Sequence, residues 1–365
     1  MDNDESREAE LVRHREAIDA LDLEILTKLS ERAGHAKAIG VLKANSGAHA
    51  YRPEREAQVL ARIATSNAGP LSHDLVTGIF RQIMSACLAL EQPLRIAYLG
   101  PPGTFSHAAV GRHFGQFVEP VSCVSIDEVF RAAESGLADY GVTPVENSTE
   151  GAVGRTLDLV CQTDLSICGE VKLRIHQNLM SNADALDKVT CVYSHAQSLA
   201  QCTLWLARNL PTAQRVPVSS NAEGARRARD EDGTAAIAGE TAADVYGLKL
   251  LATEIEDRDD NTTRFFVVGR KIFKPSGDDR TTILCSALHT DSPGALFRLL
   301  EPLAKHKISL TRIESRPSHR KKWDYVFFFD IDGHADEPHV AKALAALKKR
   351  ASLFRVLGSY PRAVS

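Results

Sequence analysis

Cations at the start of the chain are the first groups whose spacing could do chemistry. Arg32 and Lys43 stand 11 residues apart, close to three helical turns, so one helix carries both on one face. Arg15 lies 17 residues before Arg32, about 25 Å along the same axis and about 100° around it. In a straight helix Arg15 cannot reach a small ligand held by the other two. In a pocket made with a second chain it could. The plainer reading is three solvated surface cations. Arg52-Pro53-Glu54-Arg55-Glu56 is likewise readable as helix N-terminal charge, and Cys87 and Glu91, at i and i+4, as a helix edge. Further on, Gly100-Pro101-Pro102-Gly103-Thr104-Phe105-Ser106 follows a short apolar run. It matches neither glycine-rich phosphate pattern, but a helix start with hydroxyl residues suits any carboxylate. Pro144-Val145-Glu146-Asn147-Ser148 and Tyr193-Ser194-His195-x-Gln197 place polar groups where strands end, the place where α/β sheets form clefts. Ser194-His195 is no hydrolase pair, because no G-x-S-x-G accompanies it. Near the end, Ser292-Pro293-Gly294-Ala295-Leu296 reads as a helix start and Glu314-Ser315-Arg316-Pro317 as a strand end.

These groups need three kinds of scaffold. Residues 6 to 92 have helical periodicity: Leu11, Ile18, Leu21, Ile25, Leu29, Ala36 and Ile39 recur near a 3.6 period. That predicts a first helix approaching 40 residues, which needs a partner along its length. A second helix opens at Pro53, a third follows the cap Ser72 to about Glu91, and Pro93 marks the boundary to the next segment. Residues 93 to 272 alternate strands and helices, which predicts a largely parallel sheet and room for two lobes with a cleft between them. The expected strands are 95–99, 121–125, 140–145, 166–175, 189–193, 215–218, 234–238 and 263–269. Residues 280 to 361 read β-α-β-β-α-β, a ferredoxin-like sandwich. The fold class is therefore multidomain: an all-α three-helix unit (1–92), a two-lobed α/β unit (93–272) and an α+β ferredoxin-like unit (280–361).

Composition bounds the function. The chain has 365 residues, 44% hydrophobic and 25% charged, enough to bury several cores. Lys plus Arg at 44 against Asp plus Glu at 47 leaves a net charge of −3, so no basic field draws nucleic acid or anionic lipid. The run His319-Arg320-Lys321-Lys322 reads as a solvated loop. No apolar run approaches the roughly 20 residues that cross a bilayer. Seven cysteines are scattered with no C-x-x-C pair, and the acidic start Met1-Asp2-Asn3-Asp4-Glu5 is unlike a signal peptide. The expectation is a cytoplasmic protein without structural disulfides, zinc or another cofactor.

The motifs carry resemblances to three families. Arg15-Glu16-x-Ile18-Asp19-x-Leu21-Asp22, Arg32, Gly40-x-x-Lys43 and Arg55-Glu56-x-x-x-Leu60 resemble the all-helical chorismate mutases. That resemblance implies an intertwined dimer in which the long helix lends an arginine to the partner's site. Arg15, Arg32 and Arg55 would bind the substrate carboxylates, Lys43 would donate to the breaking ether oxygen, and Glu56 would accept from the ring hydroxyl. The rearrangement is pericyclic, so holding the compact conformer and stabilising ether-oxygen charge suffice. Glu91 stands where many relatives carry a glutamine, Arg52 where some carry an acid, and Cys87 where serine is frequent.

Residues 94 to 272 resemble prephenate dehydratase, whose fold is like that of periplasmic solute-binding proteins. The matching pieces are Gly100-Pro101-x-Gly103-Thr104-Phe105-Ser106, Pro144-Val145-Glu146-Asn147-Ser148, Tyr193-Ser194-His195-x-Gln197, Gln201-Cys202 and Asn261-x-Thr263-Arg264-Phe265. The resemblance implies that Thr263 is catalytic. Thr104, Asn147, Ser148, Ser194 and Gln201 are cleft-lining candidates, and Arg264 is either a carboxylate partner or a structural ion pair. The last segment resembles the phenylalanine-binding ACT domain. Gly294, Ala295, Leu296, Glu314, Ser315, Arg316 and Pro317 would line its pocket. Together these imply conversion of chorismate through prephenate to phenylpyruvate, with L-phenylalanine as effector, in a homodimer or tetramer. The competing reading is an aromatic-acid sensor without turnover.

Overall fold

The computed structural model describes residues 2–46, 51–288, 293–317 and 325–363. Three helices open the chain: α1 (Asp2–Ser46), α2 (Pro53–Ser66) and α3 (His73–Glu91). Pro53 sits in the first turn of α2, where its missing N–H has no partner to lose. Ser72 caps α3 by accepting from the Leu75 N–H at 3.3 Å. With 45 residues, α1 is about 68 Å long. It packs chiefly on α3, and Leu21, Leu23, Ile25, Leu26 and Leu42 are each more than half exposed. An apolar face of that extent marks an interaction surface.

The sequence suggests a helical unit joined to the next only near Pro93, and the structure corrects this. Tyr51 is buried against Phe114, Tyr140 and Phe273, and its hydroxyl meets His113 Nε2 at 3.0 Å. On α3, Gln82 Oε1 and Ser85 Oγ accept from the backbone N–H groups of Gln116 and Phe117 at 2.9 and 3.2 Å.

The first lobe is built from β1 (Arg95–Leu99), α4 (Phe105–Phe114), β2 (Glu119–Cys123), α5 (Ile126–Ser135), β3 (Tyr140–Asn147), β4 (Gly151–Ala152), α6 (Gly154–Gln162) and β5 (Ser166–Arg174). The second holds β6 (Asn178–Ser181), β7 (Cys191–His195), α7 (Ala196–Gln201), α8 (Thr203–Asn209), β8 (Gln214–Val218), α9 (Asn221–Asp230), β9 (Thr234–Ala238), α10 (Glu240–Tyr246) and β10 (Lys249–Ala252). The chain then returns to the first lobe as β11 (Thr262–Gly269). The strand orders are β2-β1-β3-β11-β5, with β4 beside β3, and β10-β6-β9-β7-β8. Neither sheet is largely parallel, contrary to expectation. β1 runs parallel to β2 and β3, but β11 is antiparallel to both β3 and β5. The cause is the path: β5 leaves for the second lobe and β11 comes back from it. In the second lobe β6 and β10 are antiparallel for a similar reason. The two crossovers are stitched together by Ile175 N–H on Asn261 O at 2.9 Å and Ile255 N–H on Gln177 O at 2.8 Å.

The C-terminal unit follows the expected β-α-β-β-α-β order: β12 (Asp279–Ala287), α11 (Ala295–Lys305), β13 (Leu310–Pro317), β14 (Tyr325–Asp332), α12 (Pro338–Lys348) and β15 (Ala351–Pro361). Its sheet has the order β13-β14-β12-β15. One face is covered by α11 and α12 through Leu299, Leu303, Val340 and Leu347. The other face packs Leu284, Phe328 and Tyr360 on Val145, Leu157 and Phe266 of the first lobe. Among the described residues no helix is long and apolar enough to cross a membrane.

Candidate active sites

The first site lies between α1 and α3. Arg32 Nη1 donates to Cys87 Sγ at 2.9 Å, and Lys43 Nζ is 3.1 Å from Glu91 Oε2. Gly40 allows this approach, because a Cβ there would sit 2.9 Å from Glu91 Cγ. Arg32, Lys43, Cys87 and Glu91 therefore form one cluster. Arg15 is exposed and far along α1, as the helical arithmetic requires. Arg55 is exposed on α2.

Glu56 is not brought into this cluster, which corrects its expected place. Its Oε1 lies 3.7 Å from Arg81 Nε, in a small cavity of about 70 Å³ where α2 and α3 meet the first lobe. Arg81, Tyr51, Arg112, His113, Cys168 and Arg362 face the same cavity. Burial pushes the Glu56 carboxyl up from 4.5 to about 7, against the pull of Arg81. Burial likewise holds His113 down to about 3, with Arg81 adding to it. A carboxyl with a raised folded-state pKa stabilises the fold fully below its unfolded value and loses that contribution as pH rises through the folded one. Glu56 thus takes away about 1–3 kcal/mol between about pH 4.5 and pH 7, while the depressed His113 adds stability as pH rises from about 3 to 6.5. The Glu56 share is read as a difference: the melting temperature of Glu56→Gln should climb more steeply with pH over that window than that of wild type. Identical slopes for both proteins would show that Glu56 does not titrate in that cavity.

The second site is the cleft between the lobes, a cavity of about 340 Å³ lined by Thr104, Asn147, Gln177, Gln201, Asn221 and Thr263, among others. β3 and β11 pair with Asn147 opposite Thr263. Asn147 Oδ1 accepts from the backbone N–H groups of Thr149 and Glu150 at 2.9 and 3.1 Å. Its Nδ2 then faces Asn261 Oδ1 and Thr263 Oγ1, each at 2.8 Å. Thr263 accepts from Asn147, so its own O–H is left for the cleft. Thr104 also lines the cavity, with its hydroxyl donating to Leu99 O at 3.0 Å.

Three cleft candidates are placed elsewhere. Strand alternation turns Arg264 to the face opposite Thr263. There its Nε meets Glu170 at 2.7 Å, its Nη1 meets Asp330 and its Nη2 meets Tyr360 Oη at 3.1 Å, all buried. Arg280 adds a second cation on Glu170 at 2.8 Å. Arg264 is thus a structural ion pair, not a carboxylate partner. Ser194 is wholly buried and donates toward Ile237 O at 2.6 Å and Asn221 Oδ1 at 3.0 Å. Ser148 clamps the returning crossover, donating to Asp260 O at 3.1 Å and accepting from Thr262 N–H at 2.9 Å.

Comparisons with known proteins match the three units in turn. A family model for chorismate mutase type II matches residues 14–92, one for prephenate dehydratase residues 96–272, and one for the ACT domain residues 283–349. A bifunctional chorismate mutase/prephenate dehydratase of Neisseria gonorrhoeae is 52% identical over 357 residues, 97% of this chain and 98% of its own. The chain belongs to the bifunctional chorismate mutase/prephenate dehydratases. A Pseudomonas aeruginosa member is 50% identical over 353 residues, covering 95% of this chain and 96% of that one. A crystal structure of prephenate dehydratase from Arthrobacter aurescens in complex with L-Phe is 36% identical, with a TM-score of 0.67 over 74% of this chain and 90% of that chain.

In the ACT domain Gly294 takes a left-handed φ of 75° just before α11, a conformation that suits glycine. Ala295 and Leu296 pack onto the domain's core. The second motif divides between two faces of β13. Arg316 meets Asp158 of the dehydratase unit at 2.8 Å and Glu314 lies 3.5 Å from Arg312, while Ser315 and Pro317 are exposed. The expected shared pocket therefore does not hold for the Glu314 and Arg316 side chains, which strand alternation turns toward the dehydratase. Ser292 and the run 319–322 lie outside the described residues.

Glu91, 3.1 Å from Lys43 Nζ, carries a prediction for the mutase. An ionised carboxylate accepts only, whereas a glutamine amide donates at any pH. Glu91→Gln should therefore raise mutase turnover, most at alkaline pH, and leave the dehydratase unchanged. Superimposable mutase pH–rate profiles for the two proteins would place Glu91 away from the ether oxygen.

Sequence reasoning missed Arg81, Gln177 and Asn221. Arg81 could have been found from the α3 helical period, which puts it on a different face from Cys87 and Glu91. Gln177 and Asn221 carried no spacing signal, since a crossover and a helix start bring them to the cleft.

Proposed function

We propose that the cluster between α1 and α3 is the mutase pocket and that the interlobe cleft holds prephenate. The chain converts chorismate to prephenate and prephenate to phenylpyruvate, in the biosynthesis of L-phenylalanine, which inhibits it through the ACT domain. In the mutase pocket Arg32 binds one substrate carboxylate, Lys43 and Glu91 face the ether oxygen, and Arg15 of a second copy binds the other carboxylate. The bare apolar face of α1 supports that second copy, and so a homodimer at least. In the cleft, the C4–O bond of prephenate breaks with its electron pair going to oxygen. The bond to the ring carboxylate supplies electrons to the ring, and carbon dioxide leaves. Overall one proton is consumed and water departs. Thr263 donates a hydrogen bond to the leaving oxygen, and the proton comes ultimately from solvent. The hydrogen bond from Asn147 to Thr263 Oγ1 carries this reading, because it aims the hydroxyl proton at the cleft. A sensor without turnover is not favoured, since relatives about half identical over nearly the whole chain are named as enzymes. A cytoplasmic location fits a biosynthetic enzyme. The test is a coupled assay on the purified chain, chorismate in and phenylpyruvate out, with and without phenylalanine. No chorismate consumption would overturn the reading.

A further inference from the structure

We infer that Gln177 is a specificity-determining residue of the dehydratase step, its side-chain carbonyl reserved for the ring hydroxyl of prephenate. The inference rests on the reading that the cleft around Thr263 holds prephenate.

Two hydrogen-bond chains start from backbone N–H groups, which can only donate, and converge on Gln177. In the first, the N–H groups of Thr149 and Glu150 fix Asn147 Oδ1 as acceptor. Asn147 Nδ2 must then donate to Asn261 Oδ1, and Asn261 Nδ2 donates to Gln201 Oε1 at 3.3 Å. Gln201 Oε1 is an acceptor, so Gln177 presents Nε2 to it, at 3.1 Å. In the second chain the His195 N–H fixes Asn221 Oδ1 as acceptor at 3.1 Å. Ser198 Oγ donates to that oxygen at 3.0 Å and accepts from Gln177 Nε2 at 3.1 Å. Both chains put the Gln177 amino group on the protein and leave Oε1 as the end of the line. Gln177 is 2% exposed, and its Oε1 has no partner among the described residues. A buried carbonyl in that state costs about 1–3 kcal/mol.

Gln177 lines the cleft beside Asn147, Gln201 and Thr263. Prephenate carries two carboxylates and a ketone, all acceptors at neutral pH, and a single donor, the ring hydroxyl. The one unpaired acceptor therefore matches the one donor. The leaving oxygen is then held from two sides, donating its own hydrogen to Gln177 and accepting the hydrogen of Thr263. When the C4–O bond breaks, the departing oxygen keeps the first hydrogen and takes a proton through the Thr263 hydroxyl, which solvent resupplies, so it leaves as water and Thr263 ends as it began.

The test uses the full chain and two non-reacting analogues, prephenate with a saturated ring, with and without the ring hydroxyl. Calorimetry on wild type should show the hydroxylated analogue bound roughly tenfold or more tightly. Gln177→Met should lose most of this preference, keeping only the share owed to Thr263, with the deoxy analogue little changed from wild type. A preference undiminished in Gln177→Met, or equal losses for both analogues, would overturn the proposal. Mutase turnover of the same chain reports that the variant is folded. If it is not, equal affinity of wild type for the two analogues overturns the proposal and the tenfold preference supports it. Asn147→Ala separates the underlying reading: if it leaves both affinities untouched, the cleft is not the prephenate site.

Discussion

Thr263→Ala should cut dehydratase turnover by about 10²–10⁴ and leave the mutase at the wild-type level. The lost group is a cleft hydroxyl that Asn147 orients as a donor, at 2.8 Å. Removing it leaves the Asn147 amide still held by Thr149, Glu150 and Asn261, so the cleft should keep its shape. The loss should fall on kcat more than on KM, because the hydrogen bond strengthens as charge builds on the leaving oxygen. Prephenate should accumulate from chorismate. A variant that still makes phenylpyruvate at near the wild-type rate would remove Thr263 from the mechanism. Helix α3 docks on the first lobe through Gln82 and Ser85, so melting temperature should be read alongside.

The second large effect concerns the mutase. Arg15→Ala and Arg32→Ala should each cost about 2–5 kcal/mol of transition-state stabilisation, since each leaves a substrate carboxylate unpaired. Arg15 is exposed in the single chain, whereas Arg32 is already seated against Cys87. If Arg15 acts across chains, co-expressed Arg15→Ala and Arg32→Ala chains should form mixed dimers with one intact pocket each. Mutase turnover should then return to a substantial fraction of wild type. No rescue in a mixture shown to contain heterodimers would mean that Arg15 serves its own chain or neither.

The extent of what could be read in advance follows from physical range. Helices α1 to α3 were legible because periodicity, Pro53 and Ser72 are local signals. Thr263, Asn147 and Gln201 were legible as motif matches, and the strand pairing that joins the first two is consistent with that. The direction of Arg264 was available in principle: if Thr263 faces the cleft on a strand, its neighbour must face away. The same alternation buries Ser194. What stayed hidden depends on contacts between distant elements. No local pattern announces that β11 returns antiparallel, that Tyr51 plugs the core of the next unit, or that Glu56 faces Arg81 across a domain junction. The buried quartet of Arg264, Arg280, Glu170 and Asp330 is another such case, assembled from two units. It also bears on how regulation should be tested. Removing the ACT domain would strip Arg264 of Asp330 and expose the first-lobe apolar face around Val145, Leu157 and Phe266. Substitution within the domain is therefore a cleaner probe of phenylalanine sensing than truncation.

If one chain carries two separable sites, with Arg32 serving the first reaction and Thr263 the second, the two defects should complement in trans. The test is to mix the purified Arg32→Ala and Thr263→Ala proteins and follow phenylpyruvate from chorismate. Each alone should yield almost none. The mixture should produce it, with a lag while prephenate made by one protein reaches the other. A mixture no better than either protein alone, while Arg32→Ala still dehydrates added prephenate and Thr263→Ala still consumes chorismate, would contradict the claim.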